Sequence, residues 1–245
     1  MELLDLSTPI DWENSVPQPP FVAERGLSEI RATNTFEDSA FIDSEFTLSS
    51  HAGTHVVSPM MVFSKTEKKG IYAINDIPLE QFYGWTAVLD IPKGELEPIT
   101  VHDLDRASRA LKIIPGDIVL VHTHWGKYFV ADPKNGYYLY NKHPGLDVES
   151  AEWLIGKKIK AYGQDTMGIQ CGKYSLFPSE DEKEQGVIKH HEPIHRLLLQ
   201  NDILIIEQLY NLDKIAGRRL ICGFFPLPFT ELEASPIRAV AFLDI

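Results

Sequence analysis

Two histidines separated by three residues are the first feature of the sequence that could do chemistry. His51 and His55 enclose Gly53 and Thr54, and residues 56–63 after them are almost entirely apolar. The same spacing on a helix places both imidazoles on one face, where they can bind one metal ion. Gly53 and the β-branched Thr54 disfavour a helix, although a tight loop could still direct both rings to one point. The spacing alone leaves open a metal site and a pair of hydrogen-bonded loop histidines.

A distant histidine and a buried acid could complete such a site. His195 lies near the start of a predicted helix, and Glu207 ends an apolar run that predicts a buried strand. A carboxylate in that position needs a partner, because an unpaired buried charge is very costly. A metal ion held by imidazoles and one carboxylate would satisfy Glu207. The alternative partner is an arginine, namely Arg196, Arg218 or Arg238.

The elements that would position these residues alternate between strands and helices. Apolar runs predict strands, and amphipathic stretches that follow capping residues predict helices. The predicted strands cover residues 86–91, 118–122, 159–162, 204–207, 220–225 and 237–243, and predicted helices begin after Thr100, after Asp147 and at Pro193. The two last strands have no helix between them, which indicates a mixed sheet. We predict a single α/β domain over residues 1–245, with a mixed β-sheet core and flanking helices.

The first 50 residues follow a different pattern. Pro9, Pro17, Pro19 and Pro20 exclude a long helix there. In a compact protein, such an extended segment usually wraps the core or covers a pocket. We therefore expect residues 1–50 to contribute to the pocket or to oligomer contacts.

Composition and charge exclude several classes of function. The 245 residues carry a net charge of −12, so a basic surface for nucleic acid is not expected. No stretch approaches the roughly 18 apolar residues of a membrane span, and the acidic N-terminus and two cysteines predict a cytoplasmic protein. NTPase, dehydrogenase and serine hydrolase functions are disfavoured, because their glycine-rich fingerprints are missing. The expected partner is a small-molecule substrate, with neither nucleic acid nor membrane involved.

Residues 51–61 resemble the motif H-x-G-T-H-x-D-x-P-x-H of the cyclase-type metal-dependent hydrolases, the family of bacterial kynurenine formamidases and isatin hydrolases. Further segments follow the order of that family: residues 5–10, 116–125, 144–145, 151–154 and 163–166, then His195, Glu207, and residues 224–228 and 235–239. The resemblance implies an α/β fold around a β-rich core and a homodimer or homotetramer. It also implies a pocket with one or two divalent metals, in which an amide or lactone is hydrolysed.

Three departures from the family pattern change what the resemblance implies. Val57 stands where the motif has its aspartate, and Met61 where it has its last histidine, while His124 replaces the glycine of a T-G-W segment. In the family, the aspartate bridges two metals and the last histidine shuttles protons. A valine has no lone pair to coordinate a cation, so a two-metal centre is not expected. Met61 cannot take up a proton near neutral pH.

The resulting site hypothesis combines the kept and the added residues. His51, His55 and Glu207 are the expected ligands of one divalent metal, zinc or manganese. His195, His124 and Glu207 are the expected catalytic groups, and Trp12, Met61 and Trp125 the expected substrate-binding residues. His143, which precedes a proline, is expected at the surface.

Three functions are compatible with this set of residues. The first is a cyclase-family hydrolase that acts on a small amide or lactone, cyclic or aromatic, through an altered metal site. The second is a metal-free acid–base enzyme, such as a cyclase, dehydratase or isomerase, because an imidazole can exchange protons near neutral pH. The third is a non-catalytic protein that binds a ligand.

Overall fold

A nine-stranded mixed sheet forms the centre of the part of the chain that the computed structural model describes, residues 2–10, 28–34, 42–131, 141–174 and 192–243. The strands are β1 (Leu3–Asp5), β2 (Ser28–Asn34), β3 (Asp43–Leu48), β4 (His55–Val57), β5 (Tyr83–Asp90), β6 (Pro98–Ile99), β7 (Ile118–His122), β8 (Gly145–Leu146), β9 (Ala161–Gln164), β10 (Leu204–Glu207), β11 (Arg219–Gly223), β12 (Ala234–Pro236) and β13 (Val240–Phe242). The helices are α1 (Val101–Ser108), α2 (Lys127–Ala131), α3 (Val148–Gly156) and α4 (Pro193–Gln200). Strands and helices alternate through the middle, so the predicted α/β class is confirmed.

The direction of the strands brings the carboxyl ends of several strands to one edge of the sheet. The order across the sheet is β1-β13-β11-β5-β7-β9-β10-β4-β12. The four central strands β5, β7, β9 and β10 are mutually parallel, and the remaining neighbours are antiparallel. The carboxyl ends of the four parallel strands therefore meet at one edge, which is where open α/β sheets form their sites. Strands β2 and β3 pair with each other, as do β6 and β8.

Side chains from the two faces of the sheet enter two separate apolar clusters. On β7, Val119 and Val121 face a helix-side cluster that includes Leu104 of α1, Leu154 of α3 and Leu198 of α4. Ile118 and Leu120 alternate with them and enter an opposite-side cluster, which includes Leu6, Phe82 and Leu220. Both faces of the central strands are covered. For this reason these strands read as almost continuous apolar runs.

The helices begin where the capping residues predict. Thr100 and Asp103 exchange hydrogen bonds as a capping box at the start of α1, Asp147 caps α3 through the amide of Ser150, and Pro193 is the first residue of α4. Strand β12 was not predicted. It has only three residues and contains Pro236, which an edge strand tolerates because its N–H side needs no partner. Among the described residues, no helix has the length and hydrophobicity needed to cross a membrane.

The capping box of α1 generates a prediction about stability. The Asp103 carboxylate accepts hydrogen bonds from Thr100 and lies 2.8 Å from Lys93 Nζ. Burial alone would raise the pKa of Asp103, but Lys93 and Thr100 outweigh it and lower that pKa to about 2. A shift of this size from 3.8 corresponds to about 2 kcal/mol of stability at neutral pH.

We therefore expect Asp103→Asn to lower the free energy of unfolding at pH 7 by about 2 kcal/mol. The carboxylate stabilises the fold above its unfolded pKa, and this contribution is lost as the pH falls from about 4 towards about 2. The difference between wild type and variant should consequently shrink at pH 3. Urea unfolding at both pH values measures it, and a difference independent of pH would contradict the assignment.

Candidate metal centre

The register between β4 and β10 sets His55 directly beside Glu207. Val57 and Ile205, two residues away on the same strands, point into the helix-side cluster. By strand alternation, His55 and Glu207 point to that same face. His55 Nε2 lies 3.1 Å from Glu207 Oε2, and both side chains are almost completely buried. The pairing of two strand termini therefore creates the centre of the site.

The Gly-Thr pair between the two histidines fixes the loop that carries them. Gly53 has a φ of 61°, a left-handed conformation that favours glycine, and its carbonyl accepts a hydrogen bond from His55 Nδ1 at 2.8 Å. The Thr54 hydroxyl donates to the carbonyl of Gln208 at 2.6 Å and accepts from the amide of Thr8 at 2.7 Å. The loop is thus attached to the residue that follows Glu207.

His51 directs its second nitrogen to the same point. His51 Nδ1 lies 3.1 Å from His55 Nε2, and His51 Nε2 lies 3.4 Å from Glu233 Oε1. Burial lowers the pKa of His51, and Glu233 offsets only part of that effect, so the ring is neutral at neutral pH. The hydrogen bond from His51 and a second one from Ser50 lower the pKa of Glu233 to about 2. An ionised Glu233 therefore holds the proton of His51 on Nε2.

Three electron-pair donors consequently face one another. In the tautomer in which His55 Nδ1 donates its only proton to the Gly53 carbonyl, Nε2 has a lone pair. His51 Nδ1 carries the other imidazole lone pair, and Glu207 is a carboxylate. The ligand atoms of these three residues lie within 4.8 Å of one another. A proton on His55 Nε2 makes this contact favourable, and a metal ion between the three atoms can take its place.

A second histidine keeps Glu207 ionised and oriented. His195 Nε2 lies 3.0 Å from Glu207 Oε1, and His195 Nδ1 lies 3.0 Å from Glu192 Oε2. Burial would lower the pKa of His195, but the two carboxylates outweigh it and raise that pKa to about 10. Burial would likewise raise the pKa of Glu207, but His195 and His55 hold it well below its usual range. An imidazolium has no lone pair for a metal, so His195 orients Glu207 instead of ligating an ion.

The geometry fits a single divalent transition metal. Ligand atoms at about 2.0–2.2 Å from a tetrahedral ion lie roughly 3.3 Å apart, close to the 3.1 Å between His55 Nε2 and its two neighbours. Each ligand also has an outer partner: Glu233 for His51, Gly53 for His55 and His195 for Glu207. Such partners fix the orientation of metal ligands. The arginine alternative for Glu207 is wrong, because its partners are His55 and His195. Arg196 lies against Glu67, Arg218 against the carbonyl of Leu243 and Arg238 against Asp5.

The structure places other expected site residues elsewhere. His124 does not join His51, His55 and Glu207; it lies with Asp90 and His122 at the ends of β5 and β7. Met61 is half-buried against the helix-side cluster, where Val57 is fully buried. Trp125 is buried with Phe129 and Met167 in a small aromatic cluster. Trp12 lies outside the described residues.

His143 was predicted at the surface, and this is wrong. Its side chain is fully buried and Nδ1 donates to the carbonyl of Pro144 at 2.8 Å. Gly168 lies beside it, since a Cβ on Gly168 would stand 3.1 Å from His143 Nε2 and 3.9 Å from Glu207 Oε1. Burial lowers the pKa of His143. The position of His143 just before Pro144-Gly145, a segment that follows the family order, was the available signal.

The fold and the centre together define an α/β protein with an imidazole–carboxylate site at its strand ends. The family profile described as a putative cyclase matches residues 4–170, more than half of the sequence. The chain therefore belongs to the putative cyclase family.

Named relatives extend over almost the whole chain. An uncharacterized protein of Methanocaldococcus jannaschii is 28% identical over 244 residues, which cover 99% of this chain and 100% of that protein. Isatin hydrolase of Roseibium aggregatum is 25% identical over 251 residues, covering 97% of this chain and 86% of the enzyme.

Solved structures show the same fold. Isatin hydrolase A from Ralstonia solanacearum matches with a TM-score of 0.80 at 23% identity, covering 98% of this chain and 91% of that chain. A protein from Bacillus stearothermophilus described as a predicted metal-dependent hydrolase matches with a TM-score of 0.67 at 20% identity, covering 98% and 97% of the two chains. The predicted family and fold are confirmed, and the similar proteins include isatin hydrolases and a predicted metal-dependent hydrolase.

The role of Glu233 as outer partner of His51 can be tested by metal binding. We expect Glu233→Ala to weaken zinc or manganese binding by about 10-fold or more, because His51 would lose the group that fixes its tautomer. Competition with a chelating dye measures the dissociation constant. Glu231→Ala, two residues away and with a side chain 81% exposed, serves as the control and should bind like wild type. Equal affinities in both variants would contradict the role of Glu233.

Proposed function

We propose that the protein is a metal-dependent hydrolase that cleaves the acyl C–N or C–O bond of a small amide or lactone. The observation that carries this proposal is the convergence of His51 Nδ1, His55 Nε2 and Glu207 Oε2, which lie within 4.8 Å of one another. One divalent ion at that point would bind all three atoms at once. A bound ion would polarise a carbonyl and activate water for attack on it.

The residues of this chain have separate tasks in the proposed reaction. His51, His55 and Glu207 bind the ion, His195 and Glu192 orient Glu207, and Glu233 orients His51. His124 has no part in this proposal, because its contacts are with another group of residues. His195 acts through Glu207 and is a positioning residue.

The substrate is proposed to reach the ion from the side of His51 and Glu233. Among the described residues of the centre, His55, His195 and Glu207 are at most 5% exposed in their side chains, whereas Glu233 is 31% exposed. Met61, which occupies the last position of the motif, offers an apolar surface on the 3-10 turn Pro59–Met61. An apolar rim beside a polarising centre suits a small acyl compound with a cyclic or aromatic part.

The similarity to isatin hydrolases supports this choice of substrate class. Isatin is a small bicyclic aromatic compound with a cyclic amide, and two of the similar proteins are named isatin hydrolases. Val57 and Met61 replace polar groups of the family motif here. We therefore propose the class of small cyclic amides and lactones, without choosing isatin itself.

The proposal predicts that hydrolysis depends on the ion and on Glu207. Protein purified without added metal should contain at least one equivalent of zinc or manganese, and chelation should abolish hydrolysis of a panel of cyclic amides and lactones. Glu207→Gln should abolish turnover and metal binding at this centre, because it removes a charged ligand. Glu149→Gln, at an exposed position on α3, is the matched control and should retain both.

The outcomes separate the three functions that the sequence left open. Chelator-sensitive hydrolysis that returns on addition of metal supports the proposal. A metal-free protein that still converts a substrate contradicts it and identifies an acid–base enzyme. A metal-free protein that binds a ligand without converting it identifies a non-catalytic member of the family.

A further inference from the structure

A second group of imidazoles and a carboxylate lies at the ends of the neighbouring parallel strands. Asp90 ends β5 and His122 ends β7, and the strand register sets them side by side. His122 Nδ1 and His124 Nε2 both approach the same oxygen, Asp90 Oδ1, at 3.0 and 2.9 Å. The two imidazole rings are stacked, with centroids 4.0 Å apart. Three ligand atoms of these residues lie within 4.8 Å of one another.

This group is distinct from the candidate metal centre. Leu89 and Val121 point into the helix-side cluster, so Asp90 and His122, the next residues on β5 and β7, point to the opposite face. His55 and Glu207 point to the helix side. Strand β9 lies between β7 and β10. The two groups therefore share one edge of the sheet but belong to opposite faces.

The backbone of His124 holds the imidazole in place at a conformational cost. Its φ is 69°, in the left-handed region, which a residue with a Cβ rarely adopts. Strained residues of this kind persist where the surroundings determine the conformation, and they are frequent at ligand sites. A glycine would adopt this backbone without strain. The backbone conformation at this position therefore disfavours a histidine, and another interaction must account for the imidazole.

The buried carboxylate of Asp165 lies behind the imidazole of His122. His122 Nε2, the nitrogen turned away from Asp90, faces Asp165 Oδ2 at 3.9 Å. Asp165 is fixed, because its Oδ1 accepts from the amide and hydroxyl of Thr123 at 2.7 and 2.6 Å, and its Oδ2 accepts from the amide of Gly126 at 3.2 Å. A carboxylate behind a metal-bound imidazole commonly orients it through a hydrogen bond; at 3.9 Å, Asp165 makes an electrostatic contact with His122 and no direct hydrogen bond.

We propose that Asp90, His122 and His124 form a second metal site for a borderline divalent ion such as zinc, cobalt or nickel. Two imidazoles and one carboxylate suit these ions better than magnesium or calcium, which prefer oxygen ligands. Asp90 Oδ1 lies 3.0 Å from His122 Nδ1 and 2.9 Å from His124 Nε2. Two ligand atoms at about 2.0–2.1 Å from one ion are separated by this distance when the angle between them at the ion is about 90° or slightly more.

The site is accessible from solvent. Asp90 and His124 are 48% and 44% exposed in their side chains. A cavity of about 600 Å³ opens beside His122 and His124, and Lys127, Tyr210 and Lys214 also line it. An ion held by three protein ligands retains free coordination positions there, so water or a small anionic ligand can complete its coordination.

The test counts bound ions in the full-length, chelator-treated protein by titration with cobalt or zinc. Wild type should bind two ions per chain, and His124→Gly should bind one. The glycine removes a ligand and relieves the left-handed backbone, so the melting temperature of the metal-free variant should equal or exceed that of wild type. His102→Ala, at an exposed position of α1, is the control and should bind two ions.

The two metal proposals fail separately in this experiment. Glu207→Gln should lose one ion, and the ion that remains should disappear in the double variant with His124→Gly. A count that is the same in wild type and His124→Gly overturns the second site, whatever happens at Glu207. A single ion in wild type that is lost in His124→Gly and kept in Glu207→Gln supports the second site and contradicts the proposed function. If metal-free His124→Gly melts below metal-free wild type and also binds fewer ions, the imidazole of His124 has a structural role. This result also overturns the second site.

Discussion

The buried carboxylate of Glu207 is the constraint on which the centre depends. A charge that is 4% exposed at the end of an apolar strand must be compensated within hydrogen-bonding distance. His195 supplies one compensating charge from α4, and the pairing of β10 with β4 supplies His55 on the other side. Because the charge on His195 is shared with Glu192, the contact with His55 is also needed to compensate the carboxylate. The same electrostatic need that fixes the packing of α4 against the sheet suits the cation proposed for this centre.

Where the motif aspartate is lost, the carboxylate of Glu233 lies just before the adjacent strand β12. Val57 on β4 pairs with Ala234 on β12, and Glu233 immediately precedes that residue. Glu233 reaches His51 from there, and Ser50 also donates to its Oε1. Valine extends the helix-side cluster without leaving a polar group unpaired. The site consequently keeps an acid next to its first histidine, but this acid orients the imidazole and does not bridge two metals.

Much of the fold could be predicted because local chemistry determines it. The capping box of Thr100 and Asp103, the cap at Asp147 and the proline at the start of α4 act within a few residues, and the buried strands are marked by apolar runs. His51, His55, His195 and Glu207 were found because the motif is contiguous and the buried acid needs a partner. His143, Glu192 and Glu233 were missed, because each lies in a loop or at an element end where only tertiary packing determines burial.

The position of His124 shows why the sequence does not predict the face of the sheet to which each strand residue points. Both faces of β5 and β7 are apolar, so alternation does not reveal which residues point towards the helices. His122 and Asp90 are assigned to the opposite face only once α1, α3 and α4 are seen to cover the other one. The left-handed turn at His124 then brings its ring onto His122 and away from Glu207. A parallel sheet with both faces buried can thus carry two unrelated polar groups at one edge, because successive side chains at its strand ends point to opposite layers.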